Sequence, residues 1–249
     1  MGEDRPRGQA KGSFLLIGEA GGGGEGASRR LYGRAKGKAL RKHQTELVGG
    51  LLPRLALDLS KPIDDPAALF SAPVRETRLE IGFGGGEHLI EAAALEPDVG
   101  FIGCEPFING MARLLSQIER RGLENIRLHR GDAVEVIDRL PDDSLGRVYL
   151  FYPDPWPKRR QRKRRFVSSD ILTRLARVMQ GGAQLRFSTD IDDYTAWTLA
   201  RLRAFPDFHW TASGPADWLN PWEGWTPTKY EGKAIAAGRK PVYLTFARK

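Results

Sequence analysis

The chain of 249 residues has a single cysteine, Cys104, so no intrachain disulfide can form and the fold needs no oxidising compartment. Its four histidines (His43, His88, His129, His209) are scattered, with no pair at metal-ligand spacing, which leaves a zinc centre without support. No apolar run approaches the roughly 20 residues that span a bilayer. The longest apolar stretch near the amino terminus, Phe14–Ile17, is too short for the core of a signal peptide. The expectation is a cytoplasmic protein with neither membrane nor metal. Hydrophobic residues at 41% and charged residues at 28% match an ordinary globular chain, which excludes fibrous architecture and wholesale disorder.

Positive charge is abundant but confined. Lys and Arg total 39 against 31 acids, a formal net charge of +8. Seven of the basic residues fall within Arg29–Lys42 and seven more within Lys158–Arg165, KRRQRKRR. Without those two segments the balance reverses to 25 basic against 31 acidic residues. Like charges packed together repel, and a solvated surface normally mixes signs. Two separate blocks of one sign on an otherwise acidic chain point to a polyanion that both contact.

Residues 1–28 are glycine-rich, with GGGG at Gly21–Gly24, and read as a disordered leader. Residues 29–76 continue as a flexible basic arm, a helix from about Lys38 to Leu55, and a proline-punctuated connector. From residue 77 to 249 the pattern becomes regular. Strands are expected at Arg78–Phe83, Val99–Glu105, Asn125–His129, Arg147–Tyr152, Gln184–Thr189, Phe208–Ala212 and Val242–Ala247. Helices fall between the first six, including one with Ile108, Met111, Leu114, Leu115 and Ile118 at helical spacing. Another, Ser168–Met179, is expected to close at Gly181–Gly182. An aromatic loop with Trp218, Trp222 and Trp225 precedes the last strand. This alternation predicts an α/β domain with a doubly wound, mostly parallel seven-stranded sheet. Ligands in such sheets bind at the carboxyl ends of the strands.

The first strand runs into Leu79-Glu80-Ile81-Gly82-Phe83-Gly84-Gly85-Gly86-Glu87. A dinucleotide fingerprint would need glycine or alanine at 87, and a carboxylate there opposes a pyrophosphate on the helix amino terminus. The glycine spacing Gly82, Gly84, Gly86 after Glu80 suits a cationic ligand with a nucleoside. Glu105, ending the second strand, can accept two hydrogen bonds from a ribose diol. Asp132, in Gly131-Asp132-Ala133 after the third strand, can meet an adenine amine. The fourth strand leads into Tyr152-Pro153-Asp154-Pro155-Trp156-Pro157-Lys158, whose three prolines stiffen the loop around Asp154. The second basic block begins at once. A nicotinamide-dependent oxidoreductase and a non-catalytic RNA-binding protein are competing readings; Glu87 weighs against the first and the full acid set against the second.

With these residues in view, the chain resembles the bacterial-type tRNA (guanine-N7)-methyltransferases of the class I S-adenosylmethionine-dependent, Rossmann-like fold. The resemblance rests on LEIGFGGGEHL at Leu79–Leu89, FIGCEP at Phe101–Pro106, GDA at Gly131–Ala133, YPDPWPKRRQRKRR at Tyr152–Arg165, STDIDDY at Ser188–Tyr194 and PTKYE at Pro227–Glu231. It implies that Glu80, Gly82, Gly84, Gly86, Glu105, Asp132, Ala133 and Asp154 contact S-adenosyl-L-methionine, with Asp154 as the catalytic residue. It implies that Lys158, Asp190, Thr228, Lys229, Tyr230 and Glu231 bind the substrate guanine. It assigns Arg160, Arg162, Lys163, Arg164 and Arg165 to tRNA contact, position 46 of the variable loop as the target, and a monomer or homodimer.

Guanine N7 carries an in-plane lone pair and no proton, so methylation there needs no general base. The positive charge it leaves on the ring calls for a nearby carboxylate, and Asp154, Asp190 and Glu231 are the acids available for that task and for accepting N1–H and N2–H₂. Trp156, Tyr230, Trp222 and Trp225 are candidates for stacking on a splayed-out base.

Overall fold

A computed structural model describes residues 37–249. The expectations for residues 1–28 and for the basic arm up to Lys36 lie outside the described residues. The elements run α1 (Lys42–Gly50), α2 (Leu52–Leu55), β1 (Glu76–Ile81), α3 (Glu87–Leu95), β2 (Val99–Cys104), α4 (Ile108–Arg121), β3 (Ile126–His129), α5 (Ala133–Ile137) and β4 (Leu145–Phe151). They continue with α6 (Ser169–Val178), β5 (Met179–Thr189), α7 (Asp192–Ala204), β6 (Phe208–Trp210), α8 (Ala216–Leu219), α9 (Lys229–Ala236) and β7 (Val242–Arg248).

The seven strands form one sheet in the order β3-β2-β1-β4-β5-β7-β6. β1 to β5 are parallel, and β7 runs antiparallel between β5 and β6. Because successive side chains alternate across a strand, the sheet divides two cores. On one face Leu79, Ile102, Val148, Leu150, Leu185 and Phe187 meet α5, α6 and α7 through Val136, Leu172, Leu175 and Leu202. On the other, Phe101, Ile126, Leu128, Tyr149 and Phe151 pack on Leu89 of α3 and on Met111, Leu114, Leu115 and Ile118 of α4. The chain reverses its direction of growth between β1 and β4, which opens a crevice at their carboxyl ends.

Residues ahead of the sheet join this body. Leu47 of α1 lies in the α3–α4 core, the Leu57 N–H donates to the Leu128 carbonyl at 3.0 Å, and Asn109 of α4 bonds Gly37 and Lys38.

Three expectations change in detail. The helix expected over Lys38–Leu55 is two, with Pro53 in the first turn of α2. Gly181 and Gly182 do not close α6: the chain turns extended at Met179, which already pairs with Leu145, and the glycines fall within β5 where its register on β4 shifts. The aromatic loop holds two helices, α8 and α9, the second capped by the Thr228 hydroxyl, which accepts from the Glu231 N–H at 3.2 Å.

Candidate active site

The β1–α3 turn is built on left-handed backbone that glycine adopts without a Cβ penalty, with φ of +69°, +60° and +79° at Gly82, Gly84 and Gly86. A Cβ on Gly84 would stand 3.1 Å from the Tyr230 ring, so this turn and the start of α9 face each other closely. Glu105 ties the turn to the end of β2: one carboxylate oxygen accepts from the Gly84 N–H at 2.7 Å and the other from the Phe107 N–H at 2.8 Å. Each oxygen keeps a further lone pair for a hydroxyl donor. Glu80 is buried at the head of the cleft and bonded to His88 Nδ1 at 2.6 Å. Asp132 is buried too, and caps α5 by accepting from the Val134 N–H at 3.1 Å; Ala133 is the first residue of that helix.

The loop after β4 is strained as well as stiff. Tyr152 and Trp156 have φ of +48° and +42°, a region that costs bulky L-residues of order 1–3 kcal/mol and is retained where surroundings enforce it. Asp154 sits between them, its side chain open to solvent yet low enough in the crevice that loss of solvation raises its pKa. Loss of solvent also raises the pKa of Glu105; its two backbone hydrogen bonds oppose this, and the charges of Asp154 and Glu80 add to it. Tyr230, 45% exposed, has its pKa raised by burial and by Glu105 and Asp154. These carboxylates therefore act on one another across a single cleft, and Tyr230 stands at its edge. A surplus of negative charge around a glycine cradle fits a cationic nucleoside ligand.

The remaining residues divide. Lys158, Arg160, Lys163, Lys229 and Tyr230 are exposed, and Arg162 and Arg164 are half-buried, with the Arg164 guanidinium 4.9 Å from the centre of the Trp156 ring. Asp190, just past β5, is paired with Arg239. Two residues are not presented to the cleft as expected. Glu231 is 4% exposed and already accepts from Trp225 Nε1 and the Tyr243 hydroxyl, each at 2.7 Å. It ties α9 to β7, and both its oxygens are engaged by protein donors. Arg165, at 1% exposure, turns inward: it pairs with Asp193, stacks on Tyr194 and Trp197, and donates to the Pro155 carbonyl at 2.8 Å. It anchors the Asp154 loop and is turned away from solvent.

Trp222 and Trp225 are likewise committed to packing, against Phe151 and Tyr243, with the Trp222 Nε1 donating to Thr245 Oγ1 at 2.8 Å. Tyr230, 45% exposed, presents its ring for stacking on a base, whereas Trp156 is half-buried beneath Arg164. Sequence reasoning missed His88, Tyr243 and Asp193, each joined to its partner only by tertiary contact. The one legible signal was Thr228-x-x-Glu231, a helix-start pattern that marks α9. Among the described residues no group of three or more His, Cys, Asp or Glu could hold a metal ion, and no helix is long and apolar enough to cross a membrane.

Comparisons with known proteins agree with this geometry. A family model described as "Putative methyltransferase" matches residues 75–244. A tRNA (guanine-N(7)-)-methyltransferase from Chelativorans sp. (strain BNC1) is 53% identical over 227 residues, covering 90% of this chain and 97% of its own. One of the same name from Brucella melitensis biotype 1 is 52% identical over 224 residues, covering 90% and 96%. The crystal structure of the 16S rRNA methyltransferase KamB shares the fold, with a TM-score of 0.53 at 16% identity over 71% of this chain and 89% of that one. The seven-stranded sheet, the acid-lined glycine turn and these relatives lead to one assignment: the chain belongs to the tRNA (guanine-N7)-methyltransferase family.

Proposed function

We propose that this protein methylates N7 of a guanine in tRNA, position 46 of the variable loop, using S-adenosyl-L-methionine in the cytoplasm. The observation that carries the reading is Glu105, bonded to the left-handed glycine turn at Gly84, with the charges of Asp154 and Glu80 acting on it. S-adenosyl-L-methionine, when bound, supplies a methyl group on a sulfonium. Glu80, the turn Gly82–Gly86, Glu105, Asp132 and Ala133 would hold it. The turn brings backbone close, and Glu105 offers its free lone pairs to ribose hydroxyls.

On the guanine side, no residue has to remove a proton, because N7 has none. Asp154, held by three prolines and by Arg165 on Pro155, keeps a fixed negative charge at the cleft where charge develops on the purine. Of the three candidate acids, Asp154 is the carboxylate with no protein partner of its own among the described residues, and it is the one to offer the base. Asp190 is paired with Arg239, and Glu231, held by Trp225 and Tyr243, acts as a positioning residue for α9. Lys158 and Thr228–Tyr230 line the approach, with Tyr230 to stack on an unstacked base. N7 lies in the major groove, which is closed to side chains in A-form RNA, so the target must come from an irregular region. Arg160, Arg162, Lys163 and Arg164 would meet the phosphates.

Two outcomes follow. Gly84→Ala forces an L-residue to φ +60° and pushes a methyl against Tyr230, at a cost of roughly 1–2 kcal/mol. Calorimetric titration should then show donor affinity lowered roughly tenfold. Secondly, the raised pKa of Asp154 means that its active, charged form is lost as pH falls through a value above that of a free aspartate. The acid limb of kcat against pH should therefore lie above the pKa of a free aspartate, and an acid limb at or below that pKa would contradict the role given to Asp154. The direct test of the function is nucleoside mapping of tRNA treated with enzyme and donor.

A further inference from the structure

After β4 the chain turns through a short 3-10 stretch, Arg159–Arg164. A cavity of about 510 Å³ lies beside it, and none of Glu80, Glu105, Asp132, Asp154 or the glycine turn lines it. Its cationic wall comes from Arg159, Arg162, Lys163, the buried Arg165 and Arg201, the last from α7, well away in sequence from both basic blocks. Asp193 neutralises part of this charge through Arg162, at 2.7 Å, and through Arg165. Among the described residues no carboxylate pairs with Arg159, Lys163 or Arg201.

Arg201 is held in place. Its guanidinium lies over the Trp197 ring, and Trp197 Nε1 is fixed by donating to the Val167 carbonyl at 2.8 Å. Loss of solvent lowers the Arg201 pKa, and repulsion from Arg165 lowers it further. Cations gathered around one cavity repel one another, and an anion between them would offset that repulsion. The remaining wall is the amino end of α6, where Ser168 and Ser169 line the cavity. Asp170, the acid of that first turn, is taken up by Arg174 at 3.2 Å, so it leaves the positive end of the helix dipole facing the cavity.

We infer that this cavity binds a backbone phosphate of the tRNA, outside the methyl-transfer cleft, with Arg201 and the start of α6 as its inner wall. The inference rests on the tRNA reading above and adds Arg201 and Ser169 to the RNA surface. It also gives the basic stretch two sides: Arg165 locks it to α7 while Arg159 and Lys163 face the phosphate.

The test uses the full chain, a fluorescent tRNA transcript and a series of salt concentrations. Arg201→Gln should weaken tRNA binding roughly tenfold and reduce the slope of log affinity against log salt by about one. Ser169→Asp should weaken it too, yet leave Tm level or higher, because an acid in the first turn favours the helix. That pairing separates charge repulsion from misfolding. Donor affinity should be unchanged in both. Unchanged tRNA affinity and salt slope in both variants would overturn the inference. Inorganic phosphate is the second arm. If it raises the wild-type Tm at micromolar concentration, and Arg201→Gln abolishes that rise without touching tRNA affinity, the cavity is a small-anion site and the inference fails. A wild-type protein that methylates tRNA while Arg201→Gln binds it normally defeats this inference alone. A wild type that transfers no methyl to tRNA defeats the function and the inference together.

Discussion

Asp154→Asn should lower kcat roughly 10²–10³-fold, the range seen when a preorganised charge or donor at the reacting centre is removed. The substitution keeps shape but removes the negative charge and turns one acceptor oxygen into a donor, so the loss reports both the electrostatic stabilisation of the methylated purine and the acceptance of its N–H groups. Tm should move the other way. A carboxyl whose folded pKa is raised has its stability contribution at low pH, and loses it as pH rises from the unfolded to the folded value. At neutral pH the charged Asp154 therefore burdens the fold, and Asn relieves that burden. Single-turnover methylation with a parallel thermal melt checks both. A kcat within a few-fold of wild type would remove Asp154 from the chemistry.

The second large effect is structural. Arg165→Ala removes a fully buried side chain that stacks on two aromatic rings, pairs with Asp193 and holds the Pro155 carbonyl. Cavity formation and the orphaned carbonyl together should cost about 3 kcal/mol, or roughly 10 °C in Tm for a chain of this size. Because Pro155 adjoins Asp154, kcat should fall as the loop loosens. The salt dependence of tRNA binding is the discriminating readout. A buried anchor leaves its slope unchanged, whereas a phosphate contact would reduce it by about one. A lower slope with an unchanged Tm would return Arg165 to the RNA surface.

This contrast shows where sequence stops being informative. Glu80, Glu105 and Asp132 were legible because strand periodicity fixes the strand ends, and in a doubly wound sheet those ends converge on one crevice. Asp154 was legible because three prolines in five residues have a direct conformational consequence. Arg165 was not, since seven cations in eight positions carry no internal sign of which one turns inward. Its partner Asp193 lies 28 residues further on, on the helix after the next strand. Glu231 was read as free for guanine because Tyr243 reaches it only through the antiparallel insertion of β7. Alternation of strands and helices says nothing about that insertion. The end of α6 was misjudged for a related reason: a strand pairing at Met179–Leu145 overrode the local glycine signal.

The central claim is that an acid-lined cleft beside a basic surface moves a methyl group to an unprotonated ring nitrogen of tRNA. Mass-spectrometric mapping of tRNA after incubation with the enzyme and S-adenosyl-L-methionine tests it most directly. The expected product is 7-methylguanosine at position 46, absent when that guanine is replaced by adenine. Methyl groups on another atom or nucleotide, or none on tRNA at all, would contradict it.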